Sequence, residues 1–224
     1  MLRGSLVTPT RSTSPVVRWA ASRTNRLPVG QVQVLAARVR GPRYVASFAE
    51  LLPAHEGATV LRKLRTSDLE RFHAYRSSEE LGRYQGWEAM SWEQSLGFLE
   101  RASVVQGLMA GAWIQLGIAE RTSDELIGDV GIFLNQDGSE GEVGFTLRQE
   151  SHGRGHATRA VLLAAELIFA STRIQALWAV SDARNTPSLA VLRRCGFTFV
   201  RARQAVFKGE PCTEKVFVRR RDSA

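Results

Sequence analysis

The segment Ser151-His152-Gly153-Arg154-Gly155-His156-Ala157-Thr158 carries the densest chemical signal in the chain. It stands between a strand-like alternation and a long apolar, helix-like run. Glycines at that junction let the backbone turn tightly, and the first amides of the following helix have no partner inside it. The helix macrodipole adds about half a positive charge at that end, and Arg154 adds a full one, so a phosphate or pyrophosphate suits main-chain N–H groups there. An ordinary glycine-containing strand–helix turn is the other reading, and spacing alone does not separate the two. Neighbouring chemistries fit less well. A P-loop needs Gly-Lys-Ser/Thr where Gly155-His156-Ala157 stands. A dinucleotide fingerprint wants glycine at Thr158 and parallel βαβ units. His152 and His156 lie four apart, but glycines intervene and a third ligand is missing, so no metal is expected.

The elements that position this loop follow from hydrophobic periodicity. Thr59–Leu64 reads as a short strand, and Ser67 and Glu70 have capping-box spacing ahead of a helix marked by Leu69 and Phe72. Ser91 and Gln94 form a second such pair, with Trp92, Leu96 and Leu99 on one helical stripe. Residues 103–112 fit neither period. Three alternating segments follow, at 113–121, 125–134 and 142–147, joined by turns and expected to pair antiparallel. Residues 154–171 are apolar nearly all round, as in a buried helix. A strand at 176–180 precedes a helix with Asn185 as N-cap and Pro187 in its first turn, ended by Gly196. Segments 197–207 and 212–219 read as a closing hairpin. The order βααβββαβαββ describes a mixed α/β sandwich.

Composition narrows the class. The chain has 224 residues, 44% of them hydrophobic and 23% charged, as in an ordinary globular protein. No apolar run approaches a membrane-spanning length, and Cys195 and Cys212 have neither metal nor disulfide-scaffold spacing. A reduced, cytoplasmic setting fits. Residues 1–57 hold eight Arg against Glu50 and Glu56 and show no apolar period, so they read as a poorly ordered extension: a tail, a transit peptide or an early start site. The domain then occupies 58–221. Its charge is nearly balanced, without a basic stripe interleaved with aromatics, so neither nucleic acid nor membrane is an expected partner.

Four segments together resemble one family. His152-Gly153-Arg154-Gly155-His156-Ala157 is similar to the Gln/Arg-x-x-Gly-x-Gly/Ala acetyl-CoA loop of the GNAT N-acetyltransferases. Asn185-Thr186-Pro187-Ser188 with Leu192–Phe197 resembles their Asn-x-x-Ser…Gly-Phe segment. Glu142-Val143-Gly144-Phe145-Thr146-Leu147 resembles the Glu-Ile-Gly-Tyr-x-Leu strand of the branch holding ribosomal-protein and some aminoglycoside acetyltransferases. Arg83-Tyr84-Gln85-Gly86-Trp87 and Phe207-Lys208-Gly209-Glu210 also resemble that branch. The likeness spans about residues 59–220. His152 replaces the usual Gln/Arg, and Arg159 stands where an acid is common.

The resemblance implies the acyl-CoA N-acyltransferase fold, an α/β domain with a mixed, mostly antiparallel central sheet flanked by helices. It also implies direct transfer of acetyl from acetyl-CoA to an amine, either a protein N-terminus or a small molecule; the sequence leaves monomer or homodimer open. An ammonium must lose a proton before attack, and Glu142, facing away from Val143/Phe145/Leu147, is the candidate base, with Asp129 in reserve. The family's oxyanion donor is a strand amide, here near Phe145 or Thr146, with Leu147 beside the cofactor. Residues 152–158 would take the pyrophosphate. Asn185 is an N-cap by local chemistry and a pantetheine contact by resemblance, and Ser188 either bonds the departing sulfur or completes the cap. Many relatives use a tyrosine acid, which the helix after Asn185 lacks. Tyr84, Trp87, Trp92 and Asp129 are expected on the acceptor side. Two rivals keep the same fold: a non-catalytic acyl-CoA-binding module, and a ribosome- or RNA-docking module using the Arg-rich extension.

Overall fold

A computed structural model describes residues 44–221. Its strands are β1 (Tyr44–Ser47), β2 (Ala54–Glu56), β3 (Thr59–Lys63), β4 (Gly107–Met109), β5 (Trp113–Glu120), β6 (Leu126–Leu134), β7 (Glu140–Leu147), β8 (Ala176–Asp182), β9 (Thr198–Phe207) and β10 (Glu210–Arg220). The helices are α1 (Leu69–Arg76), α2 (Glu79–Gly82), α3 (Trp92–Ser103), α4 (His156–Ser171) and α5 (Thr186–Arg194). Eight strands form one sheet in the order β2-β3-β5-β6-β7-β8-β10-β9, and β1 pairs with β4 in a separate ribbon. Every pairing in the large sheet is antiparallel except β7 with β8. The mixed, mostly antiparallel sheet is the expected one.

The two faces of the sheet are covered by different helices. On one side Val161, Ala164, Ala165 and Ile168 of α4 are fully buried against Leu61, Ile118, Val130 and Ile132. This is why α4 is apolar nearly all round. On the other side Phe72 and Tyr75 of α1 and Leu99 of α3 form a second cluster with Leu64 and Leu126. No helix among the described residues is long and apolar enough to cross a membrane.

Several expectations change. The segment 44–57 belongs to the domain rather than to an extension: β1 pairs with β4, β2 pairs with β3, and Phe48 is 3% exposed in the main core. Residues 1–43 lie outside the described residues. The first cap is not the Ser67/Glu70 pair; Asp68 accepts from the amide of Arg65 at 2.8 Å and also holds Arg62. The Ser91/Gln94 box forms as expected, each side chain bonding the other's amide. The stretch that fitted neither period contains the three-residue β4.

Strands β7 and β8 stay side by side for three residue pairs only, ending at Glu142↔Trp178. Both then continue, β7 to Leu147 and β8 to Asp182, with β8 still paired to β10. The sheet is therefore split beyond Glu142, which leaves one edge of residues 143–147 without a β8 partner.

Candidate active site

The glycine loop opens at the end of β7 and is held there by short-range bonds. The His152 ring donates Nε2–H to the carbonyl of Leu147 at 2.9 Å, and Arg148 Nε donates to Ser151 Oγ at 3.0 Å. Gly153 and Gly155 have φ of +76° and +79°, which a side chain would strain, and Gly155 is the N-cap of α4 with no side-chain cap on the helix. The first amides of α4 thus have no side-chain acceptor. Arg154 is exposed and pairs with Glu120 at 3.6 Å, while Arg159 donates to the Arg154 carbonyl at 2.9 Å. Thr158 Oγ1 accepts from Arg194 Nε of α5 at 3.3 Å.

Not every residue of the loop offers its side chain. His156 is 3% exposed and hydrogen-bonds Thr59 Oγ1 at 2.9 Å through Nδ1. Burial holds its imidazole below the ordinary histidine range, Glu120 notwithstanding. Its side chain ties α4 to β3, and only its main chain is free for an anion. The His152 ring is likewise engaged with β7.

At the split, Asn185 Oδ1 accepts the amide of Ser188 at 3.2 Å, the cap that the sequence suggests. The segment between α2 and α3 crosses over β7. Gln85 Nε2 donates to the Phe145 carbonyl at 3.2 Å, and Trp87 Nε1 to Thr146 Oγ1 at 3.4 Å. Lys208, in the turn between β9 and β10, fastens this segment by donating to the carbonyls of Gly82 at 2.9 Å and Trp87 at 2.7 Å. Tyr84 lies beside the guanidinium groups of Arg83 and Arg184. Gln85 and Lys208 stand in the two motifs that accompany the family likeness, but a long-range bond has no signature in spacing.

Glu142 is buried, at 7% exposure, on the sheet face away from α4, between Phe133 of β6 and Trp178 of β8 in register. Gly144, Thr146, Gly131 and Asp129 share that face through the same ladder. The structure corrects the reading of Asp129 as an acceptor-side residue and reserve base. It is 1% exposed, paired to Arg76 at 2.8 Å, and accepts from Tyr75 Oη at 2.6 Å and Gln115 Nε2 at 3.2 Å. Burial, followed by the Asp129 charge, pushes the Tyr75 phenol well up, so it stays a donor. Trp92 is exposed and packs edge-on to His73 rather than at the split.

Neither thiol is poised as a nucleophile. Cys195 is buried beside the Thr158 carbonyl and pushed up to about 11 by burial, and burial raises Cys212 as well. A thiolate is the reactive form. No cluster of three or more metal-ligating side chains occurs among the described residues.

The split parallel pair thus lies in the same sheet as the strand that leads into a glycine-led helix start with no side-chain cap. The Acetyltransferase (GNAT) domain family matches residues 59–198. The uncharacterised N-acetyltransferase YoaA of Bacillus subtilis (strain 168) is 29% identical over 140 residues, 62% of this chain and 78% of that protein. The RimL ribosomal-protein α-N-acetyltransferase in complex with coenzyme A superposes with a TM-score of 0.65 at 16% identity, over 75% of this chain and 97% of that one. The spermidine N-acetyltransferase from Vibrio cholerae, solved with CoA and spermine, gives 0.63 at 17%, over 74% and 94%. The chain belongs to the GNAT family and is an N-acetyltransferase.

Proposed function

We propose that the protein transfers the acetyl group of acetyl-CoA directly to a primary amine, on a protein N-terminus or a small molecule, at the opening between β7 and β8. The carrying observation is the end of β7–β8 pairing at Glu142, which leaves a strand edge open between the start of α4 and a buried carboxylate. The structural relatives solved with coenzyme A support acetyl-CoA as the donor. The free amides of 153–158 fit its pyrophosphate, with no side-chain cap competing. Asn185 and Ser188 at the start of α5 fit the pantetheine arm and the sulfur.

The chemistry follows from the residues at the opening. In a strand the N–H and C=O of one residue point to the same edge. The Phe145 carbonyl is taken by Gln85. Its N–H then faces the same opening, which favours Phe145 over Thr146 as the oxyanion donor. Glu142 takes the ammonium proton, directly or through a water, before the amine attacks the thioester. The sulfur leaves without an enzyme-bound acyl group, consistent with two buried, protonated thiols. Those thiols also support a reducing, cytoplasmic setting.

The test is free-thiol release from acetyl-CoA with a panel of amines, including peptides and diamines, with the product identified by mass. Acetylation of at least one primary amine at a rate that depends on Glu142 is expected. Acetyl-CoA binding without transfer to any amine would overturn the proposal.

A further inference from the structure

Two buried polar atoms on the Glu142 face have no hydrogen-bond partner among the described residues: Gln115 Oε1 and Trp178 Nε1. Such atoms are costly unless something pairs with them. The Gln115 amide is not free to rotate the fault away. Its Nε2 donates to Asp129, whose carboxylate is fixed by Arg76 and Tyr75, so turning the amide over would set two oxygens against each other. The oxygen is held over Gly131. A methyl group placed on Gly131 would lie 2.6 Å from it and 3.2 Å from the Trp113 ring, while one placed on neighbouring Gly144 would meet nothing within 4 Å. Gly144 thus faces open space beside Glu142, while the Gln115 amide and the half-exposed Trp113 indole fill the position over the facing Gly131.

We propose that Gln115 and Trp178 recognise the acceptor, Gln115 Oε1 accepting an N–H that the acceptor carries beyond the reacting amine, and Trp178 Nε1 donating to a carbonyl. Gly131 lies one strand over and two residues along from Glu142, which is roughly 8 Å at ordinary sheet spacings. A peptide spans that distance in about two residues. An α-amine followed by amides supplies both the donor and the acceptor that the orphan atoms ask for. A polyamine supplies donors alone, and Asp129, neutralised by Arg76, offers it no second carboxylate. The site therefore selects a peptide N-terminus. This rests on the Glu142 face being the acceptor side.

The test uses the full chain, acetyl-CoA and short peptides, each compared with an analogue in which an ester replaces the N–H of the second or third residue. In the wild type one ester position should lower kcat/KM by about tenfold or more. In Gln115→Met that difference should vanish, with acetyl-CoA affinity close to wild type and a lower melting temperature from the lost donor to Asp129. Trp178→Phe should slow peptides more than a simple alkylamine, and keeps a readout should Gln115→Met fold poorly. Equal rates for amide and ester in the wild type overturn the Gln115 role, and faster acetylation of a diamine than of peptides overturns the substrate class. Both outcomes leave the proposed acetyl transfer standing; loss of Glu142 dependence would instead overturn the placement of the acceptor.

Discussion

Arg76 and Asp129 face each other as a forked ion pair inside the protein, with side chains 2% and 1% exposed and Nη2 at 2.8 Å from the carboxylate. The Trp87 ring stacks on the same guanidinium at 4.6 Å. This pair fixes α1 against β6 and carries Gln115 with it. Asp129→Asn removes the charge that Arg76 was buried to meet, and breaking such a pair costs about 3–5 kcal/mol. A melting temperature many degrees below wild type is expected, with residual activity tracking the folded fraction. An intact, fully stable Asp129→Asn protein that has lost turnover would restore Asp129 as a chemical group.

Phe48 carries the second prediction. It is 3% exposed in the main core, so Phe48→Ala should cost about 3–5 kcal/mol. A chain beginning at Ala58 loses Phe48 together with β1 and β2, and should lose cooperative unfolding. Thermal denaturation measures both, and an unchanged melting temperature would contradict the placement of 44–57 in the domain.

What the sequence conveyed follows the range of the interactions. The buried helix at 156–171, the Asn185 cap and the three consecutive antiparallel strands each leave a periodic or local mark, and each was legible. β1 has four residues and β4 three, too short for a period, and their stability comes from pairing across some 60 positions. Asp129 alternates onto the same face as Glu142, and nothing local reveals that Arg76 and Tyr75 arrive from α1 to enclose it. The glycine loop announced its backbone, but the inward turn of His156 depends on Thr59, nearly a hundred residues earlier.

Gly155 at φ +79° separates strain from binding. Gly155→Ala should cost about 1–2 kcal/mol of stability from its left-handed backbone, and should also weaken acetyl-CoA binding markedly, because the start of α4 shifts. Gly138→Ala, at φ +68° in open space on a distant turn, is the control: similar strain, unchanged affinity. Calorimetric titration with acetyl-CoA decides, and equal affinity in both variants would remove the loop from the cofactor site.

His156 gives the fold a pH dependence. Because burial keeps its folded pKa below 6.5, the unfolded chain binds a proton that the folded chain refuses as pH falls through 6.5. Its contribution is therefore intact above that value and lost progressively below it. The melting temperature should fall between about pH 7 and pH 5, and fall less in His156→Gln. Parallel curves for the two proteins would show that His156 does not titrate in this way.

The role of Glu142 is tested most directly by the pH dependence of acetyl transfer in Glu142→Gln, which keeps the shape and removes the base. Near neutral pH the variant should be slower by roughly 10²–10⁴ with acetyl-CoA affinity unchanged. The deficit should shrink as pH approaches the acceptor amine's own pKa, since more amine then arrives already deprotonated. A variant within twofold of wild type at neutral pH, or a deficit that stays constant into the alkaline range, would contradict Glu142 as the proton acceptor.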